Sequence, residues 1–194
     1  MKTLIIQGHP NTASFGQAVA DAYQRGLRTH TGAENVREIN LGIEDFDPVL
    51  RYGYRERMEP DQLIERSQAD LAWADHLVII TPVWWTTFPS VLHGWFERVL
   101  TPGYAYRMNH SRPERLMQGK TASLIATSWA PGFYTRLIPN SPARLLRKHV
   151  LGICGIRLDK THILGSMDGP KDTVERRIRF LEYVESSVRK TGPR

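Results

Sequence analysis

The hydrophobic positions of the chain fall into five short runs that are separated by longer polar or periodic segments. The runs are rich in Val, Ile, Leu and Thr, and several are bounded by Gly, Pro or Asn, which is the pattern of strands in a parallel sheet. The predicted strands are KTLIIQ (2–7), NVREIN (35–40), HLVIIT (76–81), TASLIAT (121–127) and THILGS (161–166).

Between these runs, apolar residues recur every three or four positions, which predicts amphipathic helices. Ser14 is a candidate N-cap, and Pro89 fits a first helical turn, where its missing N–H costs nothing. The predicted helices cover residues 14–32, 61–75, 89–99, 143–151 and 171–189. Three connections show no clear period and are predicted to be irregular: 41–60, 101–119 and 128–142.

Strands that alternate with helices imply right-handed crossovers and a parallel sheet covered on both faces. We therefore predict an α/β fold: a doubly wound five-stranded parallel sheet in flavodoxin-like order 2-1-3-4-5. The order itself cannot be read from periodicity. Residues 1–190 are expected to form a single domain, and residues 191–194 a frayed tail.

Composition and charge limit which classes of ligand and location the protein can have. The 194 residues carry a formal net charge of +6, which would suit nucleic acid, an anionic membrane or an anionic cofactor. No apolar run approaches the roughly 20 residues of a membrane span, and no signal peptide is evident, so we expect a soluble, cytoplasmic protein without membrane insertion. The arginines of residues 107–115 favour a solvated loop over a nucleic-acid site. No metal-ligand spacing is present, so no metal is expected.

In doubly wound sheets, ligands bind at the carboxyl ends of the strands, near the switch point in strand order. The loop after the first strand, QGHPNTASFGQA, places Thr12 and Ser14 at the start of a helix, where free N–H groups and the helix dipole favour a phosphate. His9 could add a contact. The alternative is that Ser14 only caps its helix.

Two adjacent tryptophans, Trp84 and Trp85, follow the third strand and are expected to face the same cleft. Their rings suit a flat conjugated ligand, although they could instead cover the sheet edge or a subunit contact. The fourth strand ends in Thr127-Ser128-Trp129-Ala130, which brings hydroxyl groups and a third indole to this edge.

The residues resemble the flavodoxin-like NAD(P)H dehydrogenases of the quinone reductase type. The resemblance covers most of the chain. Its most specific part is the set of proline, tryptophan and GWFERV positions within residues 74–106. The blocks that carry it are residues 9–18, HPNTASFGQA; residues 74–106, which contain TPVWWTTFPSVLHGWFERVLTPGYAY; residues 119–128, GKTASLIATS; and residues 151–158, LGICGIRL.

The resemblance implies a flavin, FMN or alternatively FAD, with NAD(P)H as co-substrate, a quinone-like acceptor, ping-pong kinetics and a homodimer. Tyr106 and Tyr134 are the implied catalytic residues, and Trp85 joins them as a candidate for stacking on the acceptor. The implied cofactor-binding residues are His9, Ser14, Phe15, Gly16, Gln17, Pro82, Val83, Trp84, Trp85, Thr86, Thr127, Ser128, Trp129 and Ala130.

Two features depart from the family pattern. The third turn commonly reads Thr-Thr-Gly-Gly, whereas residues 127–130 here lack both glycines. Mammalian members have a Tyr and a His after this turn; Tyr134 can stand for the first, but residues 135–140 contain no His. Two other functions stay open: an ancillary flavoprotein subunit of a potassium-efflux system, and a flavodoxin-type electron carrier. The basic charge and the long segment at 101–119 favour the enzyme over the carrier.

Overall fold

The fold is built on a five-stranded parallel sheet in a computed structural model that describes residues 1–29, 32–59, 61–109 and 112–188. The sheet order is β2-β1-β3-β6-β7, which confirms the predicted order 2-1-3-4-5 and the doubly wound fold class. The strands are β1 Thr3–Gln7, β2 Val36–Asn40, β3 His76–Pro82, β6 Thr121–Thr127 and β7 Arg157–Leu164, with β4 Tyr106–Asn109 and β5 Arg112–Arg115 in a separate hairpin.

The helices cover both faces of the sheet because side chains alternate along each strand. Ile5 and its counterparts in β3 and β6 pack against α1 and α7, whereas Leu4 and Ile6 pack against α2, α3 and the helical segment that follows α4. The helices are α1 Phe15–Arg28, α2 Gln62–Trp73, α3 Ser90–Val99, α4 Gly132–Leu137, α5 Pro142–Leu145, α6 Leu151–Cys154 and α7 Val174–Val188.

Two connections that were predicted to be irregular contain regular structure. Residues 101–119 include the antiparallel pair β4–β5, in which Met108 opposes Pro113, and residues 128–142 include α4. The hairpin strands have four residues each and are mostly exposed, so they carry no apolar alternation that could predict them. Helix α4 exposes Phe133, Tyr134 and Leu137, so it lacks an amphipathic pattern too.

The last strand begins earlier than the sequence predicts. Strand β7 starts at Arg157 instead of Thr161 because its polar first half lies at the edge of the sheet, where every second residue can face solvent. The predicted tail at 191–194 and the predicted helix end at Arg189 lie outside the described residues. No helix in the described ranges combines the length and the apolar character needed to cross a bilayer.

Candidate ligand site at the carboxyl edge of the sheet

The sheet order brings the loops after β1, β3 and β6 together at one edge. The N–H of Gly8 donates to the carbonyl of Ile80 at 2.8 Å, and the N–H of Val83 donates to the carbonyl of Thr127 at 2.8 Å. A narrow recess opens between these strand ends and is lined on its sides by His9, Gly16, Pro82 and Thr127. The three segments that the sequence singled out are therefore neighbours in space.

Ser14 occupies the N-cap position of α1 but does not cap the helix with its side chain. Its Oγ is buried and has no hydrogen-bond partner among the described residues. The first turn of α1 contains no acidic side chain that could satisfy its free N–H groups. A buried hydroxyl without a partner beside the positive end of a helix is suited to an anion, so the geometry goes beyond a capping role for Ser14.

His9 borders the same recess as a neutral imidazole. Its Nδ1 accepts from the N–H of Asn11 at 2.9 Å, so the proton of the neutral ring lies on Nε2. Burial lowers the pKa of His9. The ring packs edge-on against Trp84, with ring centroids 5.5 Å apart. His9 therefore offers one N–H donor and links the first loop to the second.

The other residues predicted from the first loop support its backbone. The side-chain oxygen of Gln17 accepts from Gln7 at 2.8 Å and from Asn40 at 3.0 Å, so this amide ties α1 to β1 and β2. Gly16 packs so closely that a Cβ there would lie 3.0 Å from Oε1 of Gln7. Phe15 turns toward α7, where the Arg177 guanidinium lies 5.3 Å from its ring centroid. These three residues fix the shape of the loop, and a ligand could contact their backbone.

The second loop is a tight turn in a strained conformation. Trp84 and Thr87 exchange two backbone hydrogen bonds, of 3.0 and 2.9 Å, around the central residues Trp85 and Thr86. Both central residues have positive φ, +51° for Trp85 and +63° for Thr86, which is the geometry of a type I′ turn. That turn normally takes Asn-Gly, and each bulky residue in it costs roughly 1–3 kcal/mol. The Trp85 side chain is 96% exposed at the tip.

The third loop is held rigidly by contacts with the end of β7. Ser128 is buried, and its hydroxyl donates to the carbonyl of Ala130 at 2.8 Å and contacts Thr135 Oγ1 at 3.0 Å. The backbones of Ala130 and Gly132 lie directly against Gly165. Trp129, in contrast, is 79% exposed. The structure thus gives Ser128 a supporting position and leaves Trp129 free to contact a ligand or another chain.

The two predicted catalytic tyrosines do not line the recess between the strand ends. Tyr106 lies in a separate apolar groove of about 480 Å³, together with Met108, Phe96 and Ile153, and burial raises its pKa. Tyr134 lies on α4 and is about half exposed. Within the described ranges, no cluster of His, Cys, Asp and Glu side chains could hold a metal ion.

One residue near the site was not predicted from the sequence. His93 of α3 lines the apolar groove of Tyr106 and also the groove beneath Trp84 and Trp85. The helical period places it among partly buried residues, and the sequence contains no signal that separates it from the other histidines. Its proximity to the tryptophan turn depends on the packing of α3 against the sheet.

Known proteins share this architecture and parts of the sequence. An uncharacterised NAD(P)H oxidoreductase of Haemophilus influenzae is 31% identical over 124 residues, which is 62% of this chain and 60% of that protein. An FMN-dependent NADH:quinone oxidoreductase of Methylobacterium radiotolerans is 35% identical over 95 residues, 47% of this chain and 46% of that protein. The chain therefore aligns with less than two thirds of the length of either relative.

A solved structure matches almost the whole chain. The crystal structure of Smu.1420 from Streptococcus mutans UA159 is 29% identical, covers 97% of this chain and 99% of its own, and superimposes with a TM-score of 0.78. The model of the family with a flavodoxin-like fold matches residues 1–186. The fold, the sheet order and this match together show that the chain belongs to the family with a flavodoxin-like fold.

Proposed function

We propose that the protein is a flavin-dependent NAD(P)H oxidoreductase that reduces quinones or similar flat electrophiles, with FMN as its cofactor. The observation that carries this proposal is the buried, unpartnered Oγ of Ser14 at the start of α1, within the loop that follows β1. The names of the Haemophilus and Methylobacterium relatives support NAD(P)H, FMN and a quinone acceptor.

The residues present fit a flavin mononucleotide. The Ser14 hydroxyl and the free N–H groups of the first turn of α1 would hold the phosphate, and His9 Nε2–H would add a donor beside it. Trp84 and Trp85 would form one wall for the ring, and the backbone of the β6 exit, near Thr127 and Trp129, would form the other. When bound, the flavin supplies the chemistry that accepts a hydride from the nicotinamide and passes two electrons to the acceptor.

The protein's own contribution is binding geometry and the exclusion of water. With the flavin held between the β6 exit and the tryptophan turn, one edge of its ring would stay open to a planar substrate, so NAD(P)H and the acceptor would use that edge in turn. We therefore expect ping-pong kinetics. Tyr134, on the neighbouring α4, would contact whichever substrate is present.

We further propose a cytoplasmic homodimer in which the partner chain helps to close each site. Large apolar side chains remain exposed near the strand ends: Trp85, Trp129, Phe133 and Leu137. Several large exposed apolar side chains at one end of a sheet are a feature of interaction sites. A second copy could also supply Tyr106, which lies away from the recess of its own chain. The buried free thiol of Cys154 agrees with a reducing compartment.

The function is tested by identifying the chromophore of the purified protein. Acid release followed by mass spectrometry should yield FMN, and the protein should oxidise NADH or NADPH in the presence of menadione. A colourless protein that binds neither FMN nor FAD on reconstitution would contradict the proposal.

Replacing Ser14 by Ala should weaken FMN binding without destabilising the fold. Because the hydroxyl makes no capping bond, its loss should change the free energy of unfolding by less than about 0.5 kcal/mol. Loss of one hydrogen bond to a charged phosphate should raise the FMN dissociation constant ~10- to 100-fold, measured by fluorescence titration.

The matched control for this variant is Ser141→Ala. Ser141 caps α5, and its Oγ accepts from the N–H of Arg144 at 3.3 Å. This control should lose about 1 kcal/mol of stability and keep its FMN affinity. Equal FMN affinity in Ser14→Ala and the wild type would remove Ser14 from the phosphate site.

A further inference from the structure

The tryptophan turn is braced from below by one side-chain hydrogen bond. Thr87, the last residue of the turn, has its Oγ1 2.8 Å from Nε2 of His93 in α3. His93 also packs against Phe88, with ring centroids 5.5 Å apart. Phe88 is buried at 3% exposure, so it fixes the chain immediately after the turn to the core. The turn is therefore joined to α3 through Thr87 and His93.

The strain in the turn makes such a brace necessary. Trp85 and Thr86 both hold positive φ, a region that residues other than Gly, Asn and Asp rarely occupy. The Trp85 ring is almost fully exposed, so packing within the chain does not hold it. The contacts that hold the strained form include the pair of backbone bonds between Trp84 and Thr87 and the hydrogen bond between Thr87 and His93.

We propose that His93 is a positioning residue that acts through Thr87 to keep Trp85 where a planar ligand can stack on it. The proposal rests on the proposed function, since the ligand meant is the flavin or the substrate that follows it. His93 lines the groove below the tryptophans, beside Thr87 and Phe88, and its ring is joined to the turn through the Thr87 hydroxyl. Loss of either partner should let the turn relax away from positive φ.

The test is a double-mutant cycle with His93→Leu and Thr87→Val, together with Thr87→Ser, which keeps the hydroxyl. Two quantities are measured: the near-ultraviolet circular dichroism of the tryptophans in flavin-free protein, and the dissociation constant for FMN. Each single variant should lose part of the tryptophan signal and weaken FMN binding about 3- to 10-fold, as expected for one neutral hydrogen bond. The double variant should match the weaker single variant, and Thr87→Ser should restore both quantities to within roughly twofold.

Two results would overturn the proposal: additive effects in the double variant, or a Thr87→Ser protein that behaves like Thr87→Val. Ser90→Ala is the matched control, because this exposed residue lines the same groove at the start of α3, and it should leave both quantities unchanged. A wild-type protein that binds no flavin would end the proposed function, yet the dichroism of the flavin-free variants would still decide the role of His93. Equal dichroism in all variants would reject that role.

Discussion

Substitution of Gly165 by Ala is expected to cost about 3 kcal/mol of folding free energy and to abolish a stable flavin complex. A Cβ at this position would lie 2.0 Å from the backbone nitrogen of Gly132 and 2.5 Å from the carbonyl oxygen of Ala130. Both are backbone atoms that no rotamer change can move, so the two strand exits must separate. Overpacking of this kind typically costs 1–3 kcal/mol or more. Urea-induced unfolding and FMN titration measure the two effects.

The separation matters for the site because Gly165 belongs to a ladder that holds the third loop. The N–H of Ser128 donates to the carbonyl of Leu164, and the N–H of Ser166 donates to that of Ala130, both at 3.0 Å. Moving this ladder moves Trp129 and Ala130 at the edge of the recess.

Gly169→Ala is the matched control for Gly165→Ala. Its added methyl would meet only Ser166 O, at 3.9 Å, so no backbone has to move. A Gly165→Ala protein as stable as this control would show that the close approach is not rigid.

This contact also answers a question that the sequence raises about the third turn. The family pattern carries two glycines in the turn itself, whereas this chain has Trp129 and Ala130 there. In the structure the close backbone approach occurs instead between Gly132 and Gly165, on the side of β7. Gly132 and Gly165 therefore allow the exits of β6 and β7 to pack closely. This role can be recognised only when the pairing of β6 with β7 is known.

The central strands could be predicted because they are buried on both faces and so are continuously apolar. Strands β1, β3 and β6 lie inside the sheet and match the predicted runs at nearly every residue. The edge strand β7 and the β4–β5 hairpin were harder to predict, because their exposed positions are polar and interrupt the run of apolar residues. The order of the strands depends on crossovers that no local pattern encodes, so the predicted order was a common arrangement for five strand–helix units and not a reading of the sequence.

For the candidate site, the sequence predicted which loops lie together better than it predicted the contacts of their side chains. The strand-end loops could be chosen because parallel strands present their carboxyl ends at one edge. The hydrogen bonds of Gln17 and Ser128 could not be predicted, since their partners Asn40 and Thr135 are set by tertiary packing. The positive φ of Trp85 and Thr86 could not be predicted either, because neither Trp nor Thr favours that conformation.

Three residues of the GWFERV segment, which carries much of the resemblance, make contacts that support the scaffold. Trp95 is buried and donates from Nε1 to Ser67 Oγ at 3.0 Å, which joins α3 to α2. Arg98 is buried and donates to the carbonyl of Asp47, and Gly94 leaves space for Pro48. This segment therefore anchors the irregular residues 41–60 over α3. The residues that are most characteristic of the family therefore include residues that support the site, as well as residues of the site itself.

At the opposite end of the sheet, His76 is expected to make the fold sensitive to acid. The ring is 3% exposed, with Nδ1 2.7 Å from Thr121 Oγ1 and Nε2 3.0 Å from Ser123 Oγ. Burial, which disfavours the charged ring, lowers the pKa of His76 from 6.5 to about 4. The unfolded chain therefore takes up this proton first as the pH falls. The contribution of His76 to stability is complete above pH 6.5 and is lost between pH 6.5 and about 4.

The size of this loss follows from the pKa difference, and a His76→Gln variant isolates it. At 1.36 kcal/mol per pKa unit, the wild type should lose about 3 kcal/mol across that window through His76 alone. Burial also lowers the pKa of His9 and His162, and their contributions, of the same sign, remain in the variant. Unfolding free energies from urea titrations at pH 7, 6, 5 and 4 should fall more steeply in the wild type than in His76→Gln. Parallel curves for the two proteins would mean that His76 is already solvated in the folded state, so that the buried bonds to Thr121 and Ser123 do not persist in solution.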